Sequence, residues 1–186
     1  MLCATQWLQK SSKHTTRTPN VMADIIIEDI RWSDVNLRAL CDAAFTAVLD
    51  NQNLSTDWDV SVLACDDEKI ATLNEEFRGK PVATNVLSWP AFDLAPLTAG
   101  GTPHAPQMDG YGENELGDIA ISFDTCEREA REQSTSMTDH TIHLLMHGLL
   151  HLLGYDHETD ADATLMEGME SRLLEKLGIK DPYKDV

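Results

Sequence analysis

Three histidines at spacings that one metal ion can collect carry the clearest chemistry in this chain. They are His147, His151 and His157, in the run H-G-L-L-H-L-L-G-Y-D-H. On an α-helix His147 and His151, four residues apart, share a face and lie about 6 Å apart along the axis, so both imidazoles reach one ion. Gly154 follows the last apolar helical residues. A glycine there can take the left-handed conformation that ends a helix, and the reversed chain brings His157 back towards the first pair. Three protein ligands leave one position of a tetrahedral ion open, as in a catalytic zinc site, whereas closed structural sites use four ligands rich in cysteine. The expected ligands are therefore His147, His151 and His157, and the expected cofactor is one zinc ion per chain. His143 and His147 are also four apart, but no glycine turn delivers a third ligand after them. His143 is read as a packed histidine, with a ligand-supporting or substrate-contacting group as the alternative. His140, near the helix start, and His104, in a long loop, are read as solvent-facing.

The spacing H-x-x-x-H-x-x-G-x-x-H is similar to that of the metzincin peptidases, with one difference. Where those enzymes carry a general-base Glu beside the first His, this chain has Gly148. The ligand pattern is kept while the group that takes a proton from water is missing, which separates the metal reading from the proteolytic one.

At the same residues the chain resembles the YbeY family of rRNA maturation factors. Two further segments carry the resemblance. Leu73-Asn74-Glu75-Glu76-Phe77-Arg78-Gly79-Lys80, followed by Thr84-Asn85-Val86-Leu87-Ser88-Trp89-Pro90, is similar to that family's L-N-x-x-[YF]-R-G-K…T-[DN]-V-L-S-F-P. Leu116-Gly117-Asp118-Ile119-Ala120-Ile121-Ser122 is similar to its L-G-D-I-x-I-S strand. The likeness runs over about residues 24–183, including the closing Asp181-Pro182-Tyr183. Trp89 stands where Phe is usual, and Ala91 to Glu115 is a long insertion that can reshape the rim of a cleft.

The resemblance implies a metal-dependent endoribonuclease with catalytic residues Arg78, His147, His151 and His157. The implied reaction is hydrolysis of an RNA phosphodiester by a zinc-bound water, with Arg78 orienting the phosphate through its planar fork of donors. The implied role is maturation of the 16S rRNA 3′ end and ribosome quality control. Single-stranded rRNA precursor is the substrate, and the small ribosomal subunit with its assembly factors is the partner; neither DNA nor a membrane is expected. Arg78 has a second reading, as a cation at the negative end of a helix. Asp156 can assist proton transfer, orient a ligand or stabilise a turn. Two other classes stay open: a zinc peptidase or other metallohydrolase, and a non-catalytic ribosome-associated factor that uses the metal to hold its fold.

The elements that must position these groups are visible as patterns. Asp24 to Ile30 reads as a strand, Leu37, Leu40, Ala44 and Val48 as a helix face, and Asp59 to Ala64 as a second strand. Asp66 is an N-cap, Ile70, Leu73 and Phe77 form an apolar stripe, and Gly79 ends the helix that carries Arg78. Asn85 to Trp89 and Asp118 to Ser122 are further strands, separated by an insertion that reads as a mobile surface loop. Asp124 and Glu127 form a candidate capping box. The metal helix is expected over about Thr138 to Leu153, and a last helix from Asp160 turns Leu165, Met169, Leu173 and Leu177 inward before Gly178 closes it. The fold class is α/β, a single domain with a roughly four-stranded mixed sheet covered by helices and the metal site on a helix plus the following turn.

Composition sets the remaining bounds. A chain of 186 residues is one domain with a real core. No apolar run approaches the roughly 18 residues of a membrane span, and Cys3, Cys41, Cys65 and Cys126 are scattered, as in reduced cytosolic thiols. A cytoplasmic location is expected. Residues 1–20 carry Lys10, Lys13 and Arg17, no acidic residue and little to pack. They read as a disordered or mis-started N-terminal extension before Met22, with an organellar presequence as the alternative; residues 22–186 form the YbeY-like domain. The net charge of −18, from 32 acidic against 14 basic residues, opposes RNA binding unless the metal ion, Arg78 and Lys80 make one locally positive cleft.

Overall fold

The computed structural model describes residues 23–54, 57–107 and 114–184. The expectation for residues 1–20 lies outside them. Four strands, β1 (Ala23–Ile27), β2 (Asp59–Cys65), β3 (Val86–Pro90) and β4 (Glu115–Ser122), form one sheet in the order β1-β2-β4-β3. β1 and β2 pair in parallel, as do β2 and β4, while β3 runs antiparallel to β4. The mixed sheet follows from the connections. A parallel neighbour needs a crossover, which helix α1 (Leu37–Asn51) supplies between β1 and β2, whereas β3 reaches β4 through the insertion, which has no helix among its described residues.

The remaining helices are α2 (Asp67–Arg78), α3 (Phe123–Glu132), α4 (Met137–Leu152) and α5 (Asp160–Lys176). The carrier of the metal motif, α4, starts at Ser136, whose hydroxyl accepts the Asp139 N–H at 3.0 Å. Its residues Leu144, Leu145, Met146, Leu149, Leu150 and Leu152 are all buried, because the helix packs on α1, α3, α5 and the sheet. Each such side chain contributes about 1.5–3 kcal/mol. A helix buried on most sides is hydrophobic almost all round, and the strip bearing His147 and His151 is what remains.

The structure corrects several sequence expectations. His140 is 3% exposed and not solvent-facing, since the start of α4 packs against α3. Its Nε2 lies 2.9 Å from Glu129 Oε2, which also accepts from Asn85 Nδ2 at 2.9 Å. Burial pushes the Glu129 carboxyl up, but these hydrogen bonds outweigh it and hold the group below the ordinary carboxylate range. His104 is exposed, as expected.

The capping box at Asp124 does not form. The N-cap of α3 is Ser122, with no side-chain cap bond, and Asp124 lies inside the first turn. Its carboxylate is taken by the Arg31 guanidinium, at 2.6 and 2.9 Å, and accepts the Asp67 N–H at 3.2 Å. A charged fork from a distant segment outbids a local backbone donor. Ser122 turns instead to Asp67, donating its hydroxyl at 2.5 Å.

Leu177 is 39% exposed because α5 stops one residue earlier, while Met166 and Leu174 join Met169 and Leu173 in the core. Cys41, Cys65 and Cys126 are free and buried, and burial pushes the thiols of Cys41 and Cys65 up to about 12. The ring of Trp89 stacks edge-on against Phe77, with centroids 5.1 Å apart.

The described part of the insertion is mostly exposed, as a surface loop, but it is anchored at a few points. Leu94 is 7% exposed, Phe92 meets Trp58 edge-to-face at 6.1 Å, and Gly100 donates its N–H to Asp162 Oδ1 at the start of α5 at 2.7 Å. The Pro- and Gly-containing, mixed composition that suggests a surface loop conceals these two apolar anchors.

Candidate metal centre

Each histidine of the triad is placed by a local rule, and His147 is oriented by a distant partner as well. His147 and His151 project from α4 one turn apart, and their Nε2 atoms approach to 3.0 Å. After the C-cap Leu153, Gly154 takes φ +85°, and a Cβ there would lie 2.7 Å from the backbone carbon of Leu94. The glycine is needed for both the turn and the close approach. His157 then returns, its N–H held by Asp156 Oδ1 at 2.7 Å. This gives Asp156 the turn-stabilising contact. The three candidate ligand atoms all lie within 4.8 Å of one another.

The hydrogen bonds on the far sides of the rings test whether this geometry suits a cation. His147 Nδ1 lies 2.9 Å from Glu170 Oε1, and His151 Nδ1 lies 3.0 Å from the Tyr155 carbonyl oxygen. Both partners are acceptors, so each Nδ1 carries the proton and each Nε2 presents a lone pair. Two lone pairs 3.0 Å apart repel unless a proton or cation lies between them. An additional proton is disfavoured: burial, then the charges of His147 and His157, push His151 down to about 4. A tetrahedral ion with bonds of about 2.0–2.1 Å places its nitrogens about 3.3 Å apart, close to the separation observed. The triad can hold a metal ion.

Glu170 was not found by sequence reasoning. It is the carboxylate with 0% exposure among the described residues, on the buried face of α5 between Met166, Met169, Leu173 and Leu174. Burial pushes its carboxyl up, but hydrogen bonds from His143 and His147 outweigh burial and bring it to about 2. The signal was available, since a single acid on an apolar helical stripe is paired or used. His143 is packed, 3.4 Å from both Glu170 Oε2 and the Tyr183 hydroxyl.

Arg78 is the last residue of α2. The helix end is closed by the backbone: Gly79, at φ +68°, donates to the Glu75 carbonyl at 2.9 Å, and Lys80 donates to that of Asn74 at 3.3 Å. The Arg78 side chain has no hydrogen-bond or ion-pair partner among the described residues. It lines a cleft of about 780 Å³ together with Lys80, Ser88, His151 and His157, walled on one side by Phe92 and Leu94 of the insertion. Asp93, Asp156, Glu158 and Asp162 line it too. This corrects the expectation of a positive cleft. Its side chains alone carry more negative than positive charge, and a divalent ion on the triad brings the lining to formal neutrality.

Gly148 is also explained. A Cβ at this position would lie 3.0 Å from Ile119 Cδ1 and 3.2 Å from Ser88 Oγ, because α4 crosses β3 and β4 there. The peptidase base is missing from a position where even a Cβ would be tight against the sheet.

With this geometry in place, comparison with known proteins decides the family. The model of the family described as endoribonuclease YbeY matches residues 22–178. The chain belongs to the YbeY family. A protein named endoribonuclease YbeY from Ruegeria pomeroyi is 56% identical over 161 residues, 86% of this chain and 96% of that protein. Another of the same name from Dinoroseobacter shibae is 52% identical over 162 residues, 87% and 90% of the two chains. The solution structure of a Thermotoga maritima protein is similar at 24% identity and a TM-score of 0.49, covering 88% of this chain and 99% of that one. All three YbeY-like motifs meet around one structural unit here. Arg78 of the first and His151 and His157 of the third share the cleft, and Ile119 of the second packs under Gly148.

Proposed function

We propose that this chain is a single-strand-specific, zinc-dependent endoribonuclease that acts in rRNA processing, at the 16S rRNA 3′ end, and in ribosome quality control. One observation carries the reading. Arg78 and Lys80, two cations with no ion-pair partner among the described residues, line the same cleft as an open-sided histidine triad. The names of the relatives support the same activity. The substrate is rRNA precursor, and the partners are the small ribosomal subunit and its assembly factors in the cytoplasm. Among the described residues no helix is long and apolar enough to cross a membrane.

His147, His151 and His157 are the ligands in this reading. Zinc held there would supply Lewis acidity, lowering the pKa of water towards 7 and polarising a phosphoryl oxygen. The chain's own groups do the positioning. Arg78 offers a planar fork to two phosphate oxygens, and Lys80 adds a point charge beside it. Glu170 and the Tyr155 carbonyl fix the imidazoles in one tautomer. Leu94 and Phe92 close one side of the cleft. No carboxylate stands at Gly148, so the peptidase reading has no base there.

Arg78 provides the test. Arg78→Ala is expected to slow single-turnover cleavage of a single-stranded RNA about 10²–10³-fold, the scale for losing one oriented donor to developing charge. Arg78→Lys keeps the charge without the fork and falls between the two. Zinc content and melting temperature stay at wild-type values, because the helix end is capped by backbone donors. Wild-type cleavage rates in Arg78→Ala would remove this residue from the mechanism. A loss of stability without a selective catalytic defect would return it to the role of a helix cap.

A further inference from the structure

We infer that Glu170 is a positioning residue of the metal centre and that Tyr183 ties the docking of the C-terminal tail to metal affinity. The inference rests on the triad holding a zinc-type ion, as proposed above. Glu170 has 0% exposure and bonds on both oxygens. Oε1 accepts from His147 Nδ1 at 2.9 Å, while Oε2 accepts the Tyr183 hydroxyl in a short hydrogen bond and lies 3.4 Å from His143 Nε2. A buried carboxylate costs the fold several kcal/mol, which an apolar side chain of similar volume would avoid. What the carboxylate supplies is specific to His147. It fixes the proton on Nδ1, directs the Nε2 lone pair at His151 and the ion, and raises the basicity of the ring.

The tail makes that orientation conditional. After α5, Gly178 reverses the chain at φ +74°, and Ile179 donates its N–H to the Leu174 carbonyl at 2.9 Å. Asp181, 9% exposed, then accepts from Ser171 Oγ at 3.0 Å and from the Tyr183 N–H at 2.9 Å, pinning the tail to α5. This brings the Tyr183 ring edge-on to His143, with centroids 5.9 Å apart, and its hydroxyl to Glu170. With Oε2 occupied by Tyr183 and faced by His143, Oε1 is left to His147. A segment outside the histidine motif therefore completes the support of a ligand.

The experiment measures zinc affinity of the metal-free full chain by competition with a chromophoric chelator, beside the melting temperature of each metal-free variant. Glu170→Gln keeps the shape and removes the charge; zinc binding is expected to weaken about 10–100-fold. Tyr183→Phe keeps the ring and removes the hydroxyl, and is expected at the lower end of that range, about 10-fold. The absorption spectrum of bound cobalt(II) at saturation is expected to shift in both, which loss of stability alone would not produce. Wild-type zinc affinity and cobalt spectra in both variants would overturn the inference, even if their melting temperatures fall. A wild-type chain that binds no zinc would overturn the metal reading itself. Should Glu170→Gln fail to fold, Tyr183→Phe decides by the same two readouts.

Discussion

Metal-free protein carrying His151→Ala takes up almost no zinc and cleaves no RNA. His151 is the central ligand of the triad, since its Nε2 lies 3.0 Å from that of His147 and its ring centroid is 5.1 Å from that of His157. Removing it leaves one helical ligand and one exposed turn ligand. With each zinc–imidazole bond carrying about 3 kcal/mol or more, affinity is expected to drop about 10²-fold or more. Two observables separate this from unfolding. The melting temperature of the metal-free variant stays near that of the metal-free wild type, because deleting one of two facing lone pairs relieves repulsion and compensates lost packing. The zinc-dependent stabilisation, about 2.7 kcal/mol at a hundredfold excess over Kd, disappears together with the rise in melting temperature it produces. His104→Ala, on the exposed loop, keeps full metal content. Elemental analysis that found one zinc per chain in a His147→Ala, His151→Ala double variant would sink the site. Cleavage that persists in His151→Ala would sink the enzyme.

Restoring the peptidase base is expected to destabilise the protein. Gly148→Glu builds a Cβ 3.0 Å from Ile119 Cδ1 and 3.2 Å from Ser88 Oγ, where α4 lies on the sheet. Overpacking costs about 1–3 kcal/mol, and a carboxylate forced into that contact adds several more unless it protonates. The gain in helix propensity over glycine, about 0.5–1 kcal/mol, offsets little. A net loss of about 3 kcal/mol or more is a large part of the 5–15 kcal/mol that holds a domain together, and it lowers the melting temperature by about 10 °C. Gly148→Ala is expected to be milder, since Ile119 and Ser88 need give only a few tenths of an ångström for a methyl group. A Gly148→Glu chain with wild-type melting temperature would show that this helix stands off the sheet.

What the sequence determined by itself is what neighbouring residues settle among themselves. Helical periodicity puts His147 and His151 on one face, and a glycine able to take positive φ at 154 turns His157 back to them. Asp66 and Gly79 bound the helix of Arg78 through caps made within a few residues. The motif order also led to the right family, and the mixed sheet was expected because not every connection has room for a crossover helix. These rules act over one or two turns of chain, so a spacing reveals them.

Tertiary structure alone decided the partners. Glu170 meets His147 across 23 residues, and Arg31 meets Asp124 across 93, where it empties the expected capping box. His140 is buried against Glu129 because α4 packs on α3, and no pattern within α4 says which side that neighbour covers. The insertion reads as surface until Leu94 is found against Gly154, and Asp93 of that insertion joins Asp156, Glu158 and Asp162 along the cleft although the sequence keeps the two segments apart. In each case the deciding energy is desolvation of a charge or contact of an apolar group with a distant surface. That energy depends on which elements pack together, and a local pattern fixes only which face an element offers.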